Sequence, residues 1–94
     1  MFVGLDEFIS RENKLKIFPN PARDMIRIQA ELKGGNGKIV EITDMTGRKV
    51  LEVLLSGQET ELNRELDVSR LPRGLYNLSI IESGRRTSQK LILE

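Results

Sequence analysis

The chain has 94 residues, of which 38% are hydrophobic and 31% charged, and this balance indicates one soluble globular domain. Lys and Arg total 15 against 14 Asp and Glu, and a net charge of +1 argues against a nucleic-acid-binding protein. The chain contains no Cys and no His, which excludes disulfides, thiolate or imidazole catalysis and the usual zinc sites. No apolar run approaches the ~20 residues that span a bilayer, so we expect no membrane insertion.

Short apolar-alternating runs, separated by Gly, Pro, Asn and Asp, predict an all-β domain. In chain order the predicted strands are residues 14–18, 24–31, 38–44, 48–55, 61–68, 75–81 and 86–93. Their number and spacing are typical of an immunoglobulin-like antiparallel β-sandwich of about seven strands. Residues 48–55 are apolar on both faces, so the sequence leaves the inward face of that strand open.

The segments between the strands carry turn residues. Pro19 and Pro21 lack backbone donors and end the first strand, residues 34–37 form a glycine-rich turn, and residues 44–47 form a hairpin loop in which Gly47 supplies a positive φ. Residues 1–13 are interpreted as the end of an interdomain linker, and residues 14–94 as the domain. The first ten residues lack a signal-peptide pattern. This leaves two alternatives, a cytoplasmic protein or a fragment of a longer secreted protein in which Met1 is not native, and we favour the fragment.

The sequence gives only weak evidence for catalytic groups. Asp44 with Asp67 could be a carboxylate pair, but both lie at predicted turns, where Asp is favoured for local hydrogen bonding. Asp24 with Glu31 has the same weakness. The serines have no His to activate them, residues 34–37 lack the Lys-Ser/Thr of a phosphate loop, and no calcium-loop spacing occurs. The sequence predicts no catalytic site, no metal and no cofactor.

The aromatic and basic residues leave two further questions. Tyr76 lies in a strongly alternating strand and is predicted to be in the core, with its hydroxyl reaching a partner at the edge. Arg85, Arg86 and Lys90 form a local basic cluster with no nearby acid until Glu94. We interpret this cluster as a solvated hairpin tip, and keep a docking surface for an anionic partner as the alternative.

Three spaced motifs carry a family resemblance. The first is Ile17-Phe18-Pro19-Asn20-Pro21, the second runs from Val40 through Asp44, Gly47 and Arg48 to Val50, and the third runs from Leu66 through Leu71, Pro72 and Gly74 to Tyr76. In this order, and followed by a last strand with Lys90 at its centre, they resemble the type A C-terminal sorting domains of the type IX secretion system (Por secretion system). The resemblance covers about residues 14–94. The residues matched to the family motifs are Pro19, Asn20, Pro21, Asp44, Gly47, Arg48, Leu71, Pro72, Gly74 and Tyr76.

The resemblance implies that this domain is an export signal and not an enzyme. It implies a larger cargo protein that reaches the periplasm, crosses the outer membrane and arrives at the cell surface or in the medium. The implied partners are the type IX translocon and outer-membrane shuttle and sortase proteins, with cleavage in or before residues 1–13 and a monomeric domain. We hypothesise that the last hairpin, residues 75–93, carries recognition, with Arg85, Arg86 and Lys90 as possible docking residues and with an edge for strand addition.

Two other functions share the predicted fold. The domain could be a passive adhesion or spacer module, which only a secretion test distinguishes from a sorting domain. It could also be a carbohydrate-binding accessory module of a secreted hydrolase, but a chain with no Trp and one Tyr lacks the aromatic residues for an exposed binding strip.

Overall fold

The structure, a computed structural model, describes residues 15–33, 37–57 and 60–94. The prediction of an all-β domain with seven strands is confirmed, and each strand bound lies within one residue of its predicted position. The predicted linker, residues 1–13, and most of the glycine-rich turn lie outside the described residues. The strands are β1 (Leu15–Phe18), β2 (Met25–Glu31), β3 (Lys38–Asp44), β4 (Lys49–Leu55), β5 (Glu61–Asp67), β6 (Gly74–Glu82) and β7 (Arg85–Leu93).

The strands form two antiparallel sheets. One has the order β1-β2-β5 and the other the order β4-β3-β6-β7. This division is that of a seven-stranded immunoglobulin-like sandwich in which the fourth strand pairs with the third. The two edge strands β1 and β7 come close together along one side of the sandwich. The described residues include no helix long and apolar enough to cross a membrane.

The core lies between the sheets, where the alternating apolar side chains of both sheets meet. Apolar residues separated by two positions are buried in β2, β3 and β6, as the alternation predicts. Among the residues fully shielded from solvent are Leu15, Ile26, Ile28, Ile42, Leu78 and Leu91. Burial of these side chains is the main favourable contribution to the stability of so small a domain.

Tertiary structure decides the orientation of β4, which the sequence left open. Leu51 pairs with Ile42 and Val53 pairs with Val40, so these β4 residues share the inward face of β3. Leu54, on the other face, is 71% exposed. The register shifts after Ile42, which places one extra β4 residue opposite the start of the hairpin.

Candidate functional site

The three sequence motifs meet at one end of the sandwich. Tyr76 pairs with Asp44 across β6 and β3, and Gly74 pairs with Leu93 across β6 and β7. Ala22, in the loop that follows the first motif, forms a parallel bridge with the same Leu93. We call this region the motif end: residues 19–24, 44–48, 67–74 and 93–94. It joins the first motif to the last residues of the chain, up to 72 positions away in sequence.

The Phe18-Pro19-Asn20-Pro21 motif attaches to the outer edge of β7. The Asn20 side chain donates from Nδ2 to the Lys90 carbonyl at 2.8 Å and accepts at Oδ1 from the Ile92 amide at 3.0 Å. One carboxamide thereby pairs with the strand edge as a neighbouring peptide group would. The Phe18–Pro19 and Asn20–Pro21 peptide bonds are both cis.

Ala22 continues the pairing by one step. Its amide donates to the Ile92 carbonyl at 2.8 Å, and its carbonyl accepts from the Glu94 amide at 2.9 Å. The side chain of Asn20 and the backbone of Ala22 together cover the C-terminal half of the β7 edge. The first motif therefore fixes the end of the last strand, a role that its position in sequence does not reveal.

The second motif is a hairpin organised by one carboxylate. Asp44 Oδ1 accepts from the Thr46 amide at 2.9 Å, the Thr46 hydroxyl at 2.6 Å and the Arg48 amide at 3.0 Å. The Gly47 amide donates to the Asp44 carbonyl at 3.0 Å, and Gly47 adopts a φ of +91°, which confirms the predicted left-handed turn position. The exposed Arg48 side chain lies 3.3 Å from Asp44 Oδ2.

The third motif forms a tyrosine corner. Tyr76 is buried, and its hydroxyl donates to the Pro72 carbonyl four residues upstream. Such a tyrosine at the start of the sixth strand is a feature of immunoglobulin-like sandwiches. Gly74 takes a φ of +150°, a conformation that side-chain-bearing residues rarely adopt, and Leu71 packs against the core. The predictions of a buried ring and a bonded hydroxyl are both confirmed.

Arg73 is a residue of this end that the sequence analysis did not single out. Its guanidinium donates to the carbonyls of Val68, Leu71 and Arg23. The last of these bonds crosses from the third motif to the loop after the first motif. The Val68 amide supports the same connection by donating to the Asp24 carbonyl at 2.7 Å. An Arg beside the Pro and Gly of a corner is the sequence signal, since its five donors match several turn carbonyls.

Hydrogen bonds within the turns stabilise the ionised carboxylates of Asp44 and Asp67. A hydrogen bond from the Thr46 hydroxyl, followed by one from the Arg48 amide, lowers the pKa of Asp44 from its ordinary value of 3.8. The Ser69 hydroxyl and amide lower the pKa of Asp67 in the same way. Both carboxylates therefore serve as turn acceptors, which is the interpretation favoured by their positions over a catalytic pair.

These pKa shifts predict a loss of stability in acid. A carboxylate whose pKa is lower in the folded state contributes stability above its unfolded pKa, and this contribution is lost as the pH falls through the folded pKa. We expect wild type to be more stable than the double variant Asp44→Asn, Asp67→Asn at pH 6, with the gap shrinking below pH 3.8. Urea unfolding across this pH range measures the gap.

The control for this titration is Asp24→Asn. No hydrogen bond joins the Asp24 carboxylate to a described residue, so at pH 6 this change is expected to alter the free energy of unfolding by less than about 0.5 kcal/mol. A gap between wild type and the double variant that stays constant from pH 6 to pH 2.5 would contradict the assignment.

The three basic residues of the last hairpin do not form one compact cluster. Arg85 and Arg86 lie at the opposite end from the motif end, beside the Ser83-Gly84 turn, and their side chains point to opposite faces of the sheet. Lys90 shares the outer face with Arg86 but lies about 13 Å further along the strand. Their docking role stays a prediction.

Arg86 has an acidic partner that local sequence does not show. Its Nη1 donates to Glu41 Oε1 at 3.1 Å, across the small Ser79 of the intervening strand. Lys49 approaches the other Glu41 oxygen at 3.7 Å, and the Glu41 side chain is 9% exposed. The expectation of no nearby acid was wrong for Arg86, because strand order brings β3 within reach of β7.

The acidic side chains of the described residues do not form a metal-binding cluster. Within residues 15–33, 37–57 and 60–94, no three His, Cys, Asp or Glu side chains come together in a metal-binding arrangement. At the motif end, the polar side chains form hydrogen bonds with turn carbonyls, turn amides and the edge of β7.

Fold and site define a small β-sandwich domain whose motif residues are structural and gathered at one end. A family model described as "Secretion system C-terminal sorting domain" matches residues 16–94. The chain belongs to this family, the C-terminal sorting domains of type IX secretion. A search of curated proteins gave no match. The family is in general a sorting signal and not a catalyst.

Proposed function

We propose that this domain directs a larger cargo protein across the outer membrane through the type IX system, and that a sortase then separates it from the cargo. The observation that carries the proposal is the family match from residue 16 to residue 94. The hydrogen bonds that join the three motifs at the motif end support it, because a domain recognised by its shape needs a rigid surface. In this role the domain is a substrate of the secretion machinery and has no catalytic function of its own.

The proposed partners are the translocon and the outer-membrane shuttle and sortase proteins, which meet a monomeric domain after its passage through the periplasm. Cleavage is proposed in or before residues 1–13, upstream of the sandwich. Exposed segments between folded domains are the preferred sites of proteolysis. The cargo then remains at the cell surface or enters the medium.

A reporter fusion tests the proposal. Residues 1–94 are placed behind a signal peptide and a fluorescent protein in a bacterium with a type IX system, and in a matched strain without the translocon. We expect reporter at the surface or in the medium of the competent strain only. Reporter retained in the periplasm of both strains would reject the sorting function and leave a passive spacer or carbohydrate-binding module to be tested.

The fusion must carry point variants and not a deletion of the last strand. Leu91 and Leu93 of β7 are 0% and 2% exposed, so removing residues 86–94 takes core side chains out of the sandwich. Such a deletion is expected to unfold the domain and stop export whichever surface the machinery reads. It therefore gives no information on recognition.

A further inference from the structure

The outer edge of β7 is divided into two halves. Asn20 and Ala22 occupy the C-terminal half, bonding to the Lys90 carbonyl and to both backbone groups of Ile92. In an antiparallel strand, the backbone N–H and C=O groups of every second residue point away from the neighbouring strand. The register of β7 with β6 is unbroken, so the amides and carbonyls of Arg86 and Ser88 also point outward.

The N-terminal half of the β7 edge makes no backbone hydrogen bond within the part of the chain that the structure describes, although β1 comes close to β7. No backbone group of residues 15–33, 37–57 or 60–94 bonds to the outward groups of Arg86 or Ser88. Arg86, Ser88 and Lys90 are all exposed. A strand edge with unpaired donors and acceptors is a template for another extended chain.

We propose that the outward backbone groups of Arg86 and Ser88 on the β7 edge bind an extended acidic segment of a partner protein by strand addition, with Lys90 contributing only its side chain. The site continues the edge that Asn20 and Ala22 already cover, so the occupied half shows that this edge accepts strand-like hydrogen bonds. The inference rests on the proposed function only for the origin of the partner, which is the secretion machinery.

The positive charges of Arg86 and Lys90 favour an acidic partner strand. The side chains of Arg86 and Lys90 lie on one face, and an added strand with acidic residues four positions apart meets both of them. Only one guanidinium nitrogen of Arg86 donates to Glu41, so donors remain for a second carboxylate. Additional outward hydrogen bonds come from the backbone, which gives affinity without requiring one particular sequence.

The same charges disfavour a second copy of this domain as the occupant. An antiparallel pairing of two β7 edges centred on Ser88 places Arg86 of each copy opposite Lys90 of the other. Like charges directly opposite one another destabilise a strand pair. The edge therefore disfavours self-association in this register and favours an acidic strand.

The test uses the purified 94-residue chain and two nine-residue peptides. One peptide has two glutamates four residues apart in a valine–threonine sequence, and the other has lysines in their place. We expect the acidic peptide to bind about tenfold more tightly, to slow exchange of the Arg86 and Ser88 amides, and to lose its advantage at high salt. Equal binding of both peptides, or protection elsewhere on the domain, would overturn the proposal.

Two matched variants locate the contact. Ser88→Pro removes an outward N–H that β6 does not use, whereas Ser88→Ala keeps it and loses only the hydroxyl bond to Ser79. We expect Ser88→Pro to abolish slowed exchange and Ser88→Ala to retain it. If Ser88→Pro binds the acidic peptide as Ser88→Ala does, strand addition at this edge is wrong.

A charge exchange covers the case in which Ser88→Pro does not fold. Lys90→Glu is expected to weaken the acidic peptide about tenfold, and a peptide with lysine at the facing position should recover the loss. No recovery overturns the proposal, as does a concentration-dependent dimer of the wild-type domain that Lys90→Glu strengthens. None of these binding measurements involves export, so a failure of strand addition can be distinguished from a failure of the sorting function.

Discussion

Replacing Tyr76 by alanine will destabilise the domain by about 3–5 kcal/mol, the usual cost of removing a buried aromatic ring. The ring is 5% exposed and packs in the core between the two sheets, and its hydroxyl donates to the Pro72 carbonyl. Small domains have about 5–15 kcal/mol of stability in total, so much of the folding free energy depends on this residue. Equilibrium urea unfolding measures the change.

The matched variant is Tyr76→Phe. It keeps the ring and removes only the hydroxyl, so we expect a loss of about 1 kcal/mol, the net value of one hydrogen bond. In the reporter fusion Tyr76→Ala is expected to reduce export strongly and Tyr76→Phe to reduce it little. Equal destabilisation by the two variants would show that the hydroxyl bond, and not the packing of the ring, holds the corner.

Arg73→Met will cost about 2–3 kcal/mol, although Arg73 is exposed. A charged donor contributes more per hydrogen bond than a neutral one, and this guanidinium serves the carbonyls of Val68, Leu71 and Arg23. Because solvent screens the exposed side of the guanidinium, the total contribution to stability is smaller than that of three fully buried hydrogen bonds. Thermal or urea unfolding gives the number.

Arg70→Met is the control for this change. Arg70 lies three positions upstream and is exposed, and its side chain donates no hydrogen bond to a described residue. We expect its replacement to stay within about 0.5 kcal/mol of wild type. If both variants lose equal stability, the effect is one of net charge and the carbonyl contacts of Arg73 are not responsible.

Strand positions were predictable from sequence because their cause is local. Alternation with a period of two marks a half-buried strand, and β3 and β6 carry it clearly in Val40, Ile42, Leu78 and Ile80. Glycine and proline fixed the turns, since few other residues adopt their backbone angles. β4 has apolar residues on both faces, so its orientation required the partner strand.

The family motifs were recognisable in sequence, but their joint role was not. Asn20 bonds residues 70 and 72 positions away, and no local pattern encodes a contact of that separation. Arg73 looked like an ordinary turn residue until the fold brought the Arg23 carbonyl to it. The same reason explains Arg86, whose partner Glu41 lies 45 positions earlier.

The sequence by itself determined the strands, the turns, the buried aromatic ring and the family resemblance, because each depends on residues close together in the chain. Tertiary structure alone decided that three distant motifs share one end, that the first motif fixes the last strand, and that half of the β7 edge is unpaired among the described residues. Strand order and register set these contacts, and both follow from burial of the whole core, to which every strand contributes.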